Sequence, residues 1–397
     1  MTSKSLAAEL FLSYEEYRLD HLRPSNCRHP EIVGELGTLV RGSAGMLTMR
    51  ELGRSVEGRS INMVSCGHGP INILLWSQMH GDESTATLAL MDGFQFLVRE
   101  HKRKTWVDGM LAGIAIHAIV MLNPDGADRV QRHTAVGIDM NRDARVLATP
   151  EARVLREAQQ RLQPTFGFNL HDQTLSSVGS TPKVAVLALL APALDGNKSL
   201  AAGRVRAMRI GACIVRSLGQ FVDGHISTYD DSFEPRAFGD SMQMWGTSTL
   251  LIESGHWPGD PEKLFVRKLN YVAILTSLGA IANGSYQDVE LDHYTGLVAN
   301  GKNMFDYIIR GVLLAHVTGW THQVDVGLSV DPAINRGLTT RGNSTLVTVK
   351  EVGDLSAHGA LATLDANGRT LSSNALAIDK VLSLVELLDQ LQLPAPA

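Results

Sequence analysis

Cysteine is scarce in this sequence: Cys27, Cys66 and Cys213 are the only three in 397 residues. An odd number, widely spaced and without a CxxC pair, excludes a disulfide framework and points to buried thiols in a reducing compartment. Long apolar runs are also missing, and no stretch approaches the ~20 residues a bilayer span requires. The N-terminus, MTSKSLAAELFLSYEEYRLDHLRP, meets acidic residues before it builds an apolar core of signal-peptide length. Charge of one sign is not in excess. A net charge of −5 with 19% charged residues gives no footprint for nucleic acid or an anionic membrane. There is no internal repeat and no low-complexity linker. What remains is an ordinary globular composition, 44% hydrophobic, long enough for two or three domains and a sizeable core. The expected location is the cytoplasm, and the oligomeric state is left open.

From residue 45 to 285 short apolar runs alternate with longer amphipathic stretches. Strands are expected at INILLWS (71–77), GIAIHAIVML (113–122), FGFNL (166–170), VAVLALL (184–190) and STLLIES (248–254). Helices are expected at 85–101, 150–162, 200–219 and 261–282, the last with Pro261 near its start. Near-continuous apolar strands between helices specify an α/β fold: a mostly parallel mixed sheet with helices on both faces. Ligand sites in such folds gather beyond the carboxyl ends of the strands. A partly helical N-terminal extension, residues 1–44, precedes this domain. Residues 286–397 read as a small β-rich C-terminal domain, with a short helix at Lys302–Arg310, a hairpin turn at DANG (365–368) and a short terminal helix.

Four polar elements fall on four of those strand ends. His80 and Glu83, in SQMHGDES, follow the strand 71–77, and a three-residue step across a strand-to-helix turn can aim an imidazole and a carboxylate at one point. Zinc accepts both groups, although an isolated HxxE match equally describes a loop histidine beside a helix-start glutamate. LNPDGADRVQRHTAVGIDMNR follows the strand 113–122. NPDG by itself is turn chemistry, but it does not account for Arg132, Asp139, Asn141 and Arg142 behind it. Guanidinium groups suit carboxylates and polarised carbonyls. His171 ends the strand 166–170, and Glu253 ends an apolar strand where a carboxylate is costly without a purpose.

As an ordered set, GRSVEGRSI, HGDE, NPDG, the Arg132 region, GIDMNR, LHDQ and the final glutamate resemble the carboxypeptidase A-type zinc metallocarboxypeptidases over residues 45–285. The resemblance implies one zinc per chain, held by His80, Glu83 and His171, with Glu253 as general base and Arg132 polarising the scissile carbonyl. It implies that Asn141 and Arg142 bind the terminal carboxylate of a peptide substrate, and that Asp139 supports the first histidine. A mobile tyrosine precedes the glutamate in many relatives; here the candidate is Tyr229, 24 residues ahead of Glu253. Arg236, in the same loop, is a candidate contact for an acidic substrate group. His133, His225 and His256 lie near the motifs but are not expected to ligate. Asp143 and Ala144 depart from the family pattern after Asn-Arg and place an extra acid beside the anchor. The expected enzyme is a peptide hydrolase made active without an inhibitory pro-segment. Two alternatives share the zinc site: a deacylase of N-acyl amino acids, of the aspartoacylase or succinylglutamate desuccinylase kind, and a zinc-binding module that has lost catalysis.

Overall fold

In a computed structural model, residues 3–330 and 345–395 are described. The chain forms two compact units. The first comprises residues 1–173, 186–255 and 262–299; the second comprises 174–185, 256–261 and 300–397.

The first unit is built on an eight-stranded sheet. Its strands are β1 (Thr48–Arg54), β2 (Ser60–Cys66), β3 (Ile71–Ser77), β4 (Ile114–Ile119), β5 (Phe166–Asp172), β7 (Leu187–Leu190), β8 (Ile226–Thr228) and β9 (Ser248–Ser254). They lie in the order β1-β2-β4-β3-β5-β9-β7-β8. β4, β3, β5 and β9 run parallel, whereas β1 and β2 pair antiparallel at one side and β7 runs antiparallel to β9 at the other. The parallel core is buried on both faces, which accounts for the continuous apolar runs in the sequence. From β3 the chain crosses to β4 on one flank, and β5 then returns to the other flank of β3. This reversal lies between β3 and its two flanking strands, and open α/β sheets bind ligands beyond the carboxyl ends of strands at such a point.

Helix boundaries follow local chemistry. Pro150 opens the helix Pro150–Leu162 at a position whose N–H needs no partner. The Thr149 hydroxyl caps it by accepting from Ala152 N at 3.2 Å, and Gln163 ends it in the left-handed region. NPDG, expected as a turn, instead starts a six-residue helix, Pro124–Arg129. Asn123 caps it by accepting from Gly126 N at 2.9 Å. The helix Leu264–Ala282 is long and apolar enough to cross a membrane by composition, contrary to the expectation that no such stretch exists. However, 78% of its apolar window is buried inside the fold. A helix enclosed on all sides needs no polar face.

The N-terminal segment is fastened to the first unit by a buried ion pair. Arg267 donates to both Asp92 oxygens at 2.7 and 2.5 Å, and to Leu22 O at 2.8 Å. Asp92 also accepts from the Tyr14 hydroxyl at 2.8 Å and Leu19 N at 2.9 Å. Asp92→Ala would strand a buried guanidinium, and the expected loss is about 3–5 kcal/mol of unfolding free energy. Urea titration of both proteins measures it; a change under ~1 kcal/mol, within the range of a surface substitution, would contradict the assignment.

The second unit contains a short antiparallel pair, β6 (Ser177–Val178) and β10 (Asn300–Gly301), and a sheet in which β11 (Met304–Ala315), β12 (Thr321–Val330) and β13 (Leu346–Gly353) pair antiparallel in sequence and β14 (Gly359–Asp365) pairs parallel with β11. Three sequence expectations meet this unit. The helix expected at 302–310 is the start of β11, because Ile308 and Ile309 are buried on a sheet core rather than spaced along a helical stripe. DANG does not reverse the chain. The strands before and after it, Gly359–Asp365 and Thr370–Ser372, both run parallel to β11, and DANG is a bulge between them held by Ala366 N donating to Arg310 O and Gly368 N to Gly311 O. The terminal helix is present at Leu384–Gln390.

Candidate metal centre

His80 and Glu83 follow β3 through a strained corner. Gln78 takes φ of +50°, and its amide donates to Gly81 O at 2.9 Å, bending the chain sharply. A Cβ on Gly81 would lie 2.0 Å from the Gly126 carbonyl carbon, so the HGDE and NPDG turns touch backbone to backbone, and a Cβ on Gly126 would lie 2.5 Å from Asn123 Nδ2 and 2.8 Å from His133 O. NPDG is held from below by the β1–β2 turn. Asp125, fully buried, accepts from the Ser55 hydroxyl at 2.7 Å, Arg59 at 2.8 Å and Glu57 N at 3.0 Å. The GRSVEGRS lead is thus a brace for the loop that carries Arg132 and Asp139.

His171 and Glu253 are register partners on β5 and β9 and face the same side. His80 Nδ1 lies 2.7 Å from Glu83 Oε1, and His171 Nδ1 lies 2.7 Å from Glu83 Oε2. The three ligating atoms fall within 4.8 Å of one another. His80 Nε2 faces Asp139 Oδ1 at 3.1 Å, which leaves Nδ1 as the lone-pair nitrogen when Nε2 carries the proton. Asp139 also accepts from Arg132 Nε and Nη2 at 3.1 and 3.0 Å. Arg132 Nη1 points to His80 Nδ1 and Glu83 Oε1, at 3.2 and 3.5 Å.

Residues 34–171 match the zinc carboxypeptidase family model. The fold agrees. A thrombin-activatable fibrinolysis inhibitor structure is 12% identical over 71% of this chain and 81% of its own, with a TM-score of 0.51. The bovine form, solved with a tick carboxypeptidase inhibitor, is 13% identical over 66% and 98%, with a TM-score of 0.50. A metallo-carboxypeptidase from Burkholderia cenocepacia is 17% identical over 64% and 68%, with a TM-score of 0.49. No curated protein matches the chain.

The donor set, two imidazole nitrogens and a carboxylate with three protein ligands, is the one a catalytic zinc takes while keeping a fourth position open. The electrostatics also call for a cation. Burial opposes charge on His80, but Glu83 and Asp139 overcome it and lift the imidazole to about 9. Burial would raise Glu83, yet the two histidines hold it well below the usual carboxylate range. His171, deeper still, is pushed down by burial. Glu253 is driven well above a normal carboxyl by burial and then by Glu83, and its Oε2 has no hydrogen-bond partner among the described residues. A buried carboxylate so placed is costly unless a nearby cation or proton donor balances it.

The remaining candidates divide. The Asn141 Oδ1 accepts from Phe238 N at 2.9 Å, and Arg142, half exposed, donates to Asn141 O at 2.8 Å. Tyr229 is raised to about 12 by burial and then by the negative charges of Glu253 and Glu83. Arg236 is paired to Glu234 at 2.9 and 2.5 Å, and it joins the anchor loop through Ala144 N donating to Arg236 O. Asp143, the extra acid, turns inward. It accepts from Ala148 N, Thr149 N and the Thr149 hydroxyl, all within 2.9 Å, and so is spent on shaping the helix that follows. His133 is exposed and takes no part in the cluster.

Three neighbours of the cluster were not legible in the sequence. Asp172 accepts from the Thr85 hydroxyl at 2.5 Å and Lys263 at 3.1 Å, while its backbone N donates to Glu83 Oε2 at 3.1 Å. Together Asp172, Thr85 and Lys263 fix the ligand carboxylate. Adjacency to His171 could have signalled Asp172. Lys263 carries no such signal, because it reaches the site only through its left-handed φ of +54° at the start of the helix Leu264–Ala282.

Proposed function

We propose that the chain is a zinc-dependent carboxypeptidase that hydrolyses the last peptide bond of a substrate with a free terminal carboxylate. The observation that carries this reading is the buried Glu253 carboxylate, whose Oε2 has no hydrogen-bond partner among the described residues, set in register with His171 of the two-histidine, one-glutamate cluster. His80, Glu83 and His171 would hold the zinc, which when bound acidifies water and polarises a carbonyl. Glu253 takes a proton from the attacking water and delivers it to the leaving amine; its raised proton affinity suits both steps. Arg132, kept in place by two bonds to Asp139, donates to the oxyanion that develops on the scissile carbonyl. Asp139 fixes the His80 ring. Asn141 and Arg142 hold the terminal carboxylate, so that only the last peptide bond reaches the water. Tyr229 closes over the bound residue from the loop after β8.

The test is kcat/KM for one blocked dipeptide as the acid and as the C-terminal amide. An amide leaves Arg142 without its anion, and the expected loss is at least ~10-fold, or about 1.4 kcal/mol. Arg142→Ala should erase most of the acid's advantage. Equal rates for acid and amide in the unaltered protein would refute the anchor. Turnover of N-acyl amino acids without turnover of dipeptides would turn the reading toward a deacylase.

A further inference from the structure

Beside the anchor lies a carboxylate that the reaction does not use. Glu234 Oε2 is 3.8 Å from Arg142 Nε, and the same side chain accepts from Arg236 Nε, Nη2 and backbone N at 2.9, 2.5 and 3.1 Å. Those bonds to Arg236 hold Glu234 down to about 2, so it is anionic throughout the working range. The loop is also fixed to its surroundings. Glu234 N donates to Asp240 at 3.2 Å, Ala144 N donates to Arg236 O at 3.1 Å, and Phe238 N donates to Asn141 at 2.9 Å. Arg142 is thus flanked by a permanent negative charge that Arg236 draws partly away from it.

From this we infer that Glu234 sets the charge preference of the anchor: it favours a terminal residue bearing one carboxylate over a residue bearing two. This inference rests on the carboxypeptidase reading and specifies its substrate class. A second carboxylate on the terminal residue meets Glu234 at close range, and like charges in partial solvent repel with an energy that decides between substrates. Arg236 is a positioning residue. By holding Glu234 from the other side it keeps the Arg142 guanidinium open to the substrate, so the two residues have opposite effects on binding. The Nε and Nη2 of Arg236 are thereby directed to Glu234.

Calorimetry in a Glu253→Gln background separates binding from turnover. The probes are two benzoylated dipeptides differing only in a terminal Gln or Glu. The full chain should bind the Gln peptide more tightly. Glu234→Gln should shift the Gln-to-Glu ratio of dissociation constants toward Glu by about fivefold or more, the size expected for one partly screened charge, and less at high salt. Comparing ratios cancels contacts that the two side chains make elsewhere. Arg236→Gln should weaken both peptides, because Glu234 is then free to neutralise Arg142. A ratio unchanged within twofold in Glu234→Gln overturns the inference while leaving the carboxypeptidase reading standing. Binding of neither peptide to any variant overturns both.

Discussion

Replacing Glu253 with Gln should leave the fold and the metal content intact while turnover falls by roughly 10²–10⁴-fold, the range of general acid–base effects. The substitution is nearly isosteric and removes only the proton-accepting oxygen. Glu253 lies in the middle of the sheet, register-paired with His171 on one side and Ala188 on the other, so its position is set by backbone pairing that Gln preserves. Gln should also relieve the repulsion between two buried acids, Glu253 and Glu83, so the variant is expected to be at least as stable as the parent. Loss of turnover with gain of stability is a signature that a merely structural residue would not give. Turnover of a blocked dipeptide, zinc analysis and thermal melting test it together, and near-normal turnover would remove Glu253 from the mechanism.

His80→Ala or His171→Ala should abolish stoichiometric zinc and activity together. Each histidine supplies one of three donors, and a two-donor remnant no longer encloses a cation. Because metal bound only by the folded protein adds RT ln(1 + [L]/Kd) to stability, chelation should lower the melting temperature of the parent and leave either variant unmoved. At a zinc concentration of 1,000 times Kd this term is about 4 kcal/mol, large enough to shift a melting curve by several degrees. Full zinc occupancy in both variants would refute the ligand assignment.

The candidate site residues were legible because the chemistry proposed for them demands rare side chains in conspicuous places. His80 and Glu83 follow directly on an apolar strand, His171 and Glu253 lie at the ends of two others, and the alternation of strand and helix implies a common edge for them. Boundaries such as the helix at 150–162 were equally readable, since Thr149, Pro150 and Gln163 act within one turn of themselves. The second unit was harder. Ile308 and Ile309 are apolar in helix and strand alike, and only pairing with β12 and β14 selects the strand.

What the sequence alone determined is the donor set and its order along an α/β frame, because strand periodicity, helix caps and metal-ligating side chains are local properties. Tertiary structure decided which groups meet: that Asp125 of NPDG grips the β1–β2 turn, that Lys263 reaches Asp172 behind Glu83, that Asp143 faces inward and that Glu234 stands beside Arg142. Each of these pairs joins residues whose side chains are polar and common at surfaces, so nothing in the local pattern marks one as a partner of another. Their meeting depends on the order of strands in the sheet, the positive φ at Gln78 and Lys263 and the close backbone contact of Gly81 with Gly126. Those are consequences of packing the whole unit at once, since a charge pair gains its energy only after the core has brought its members within a few ångströms.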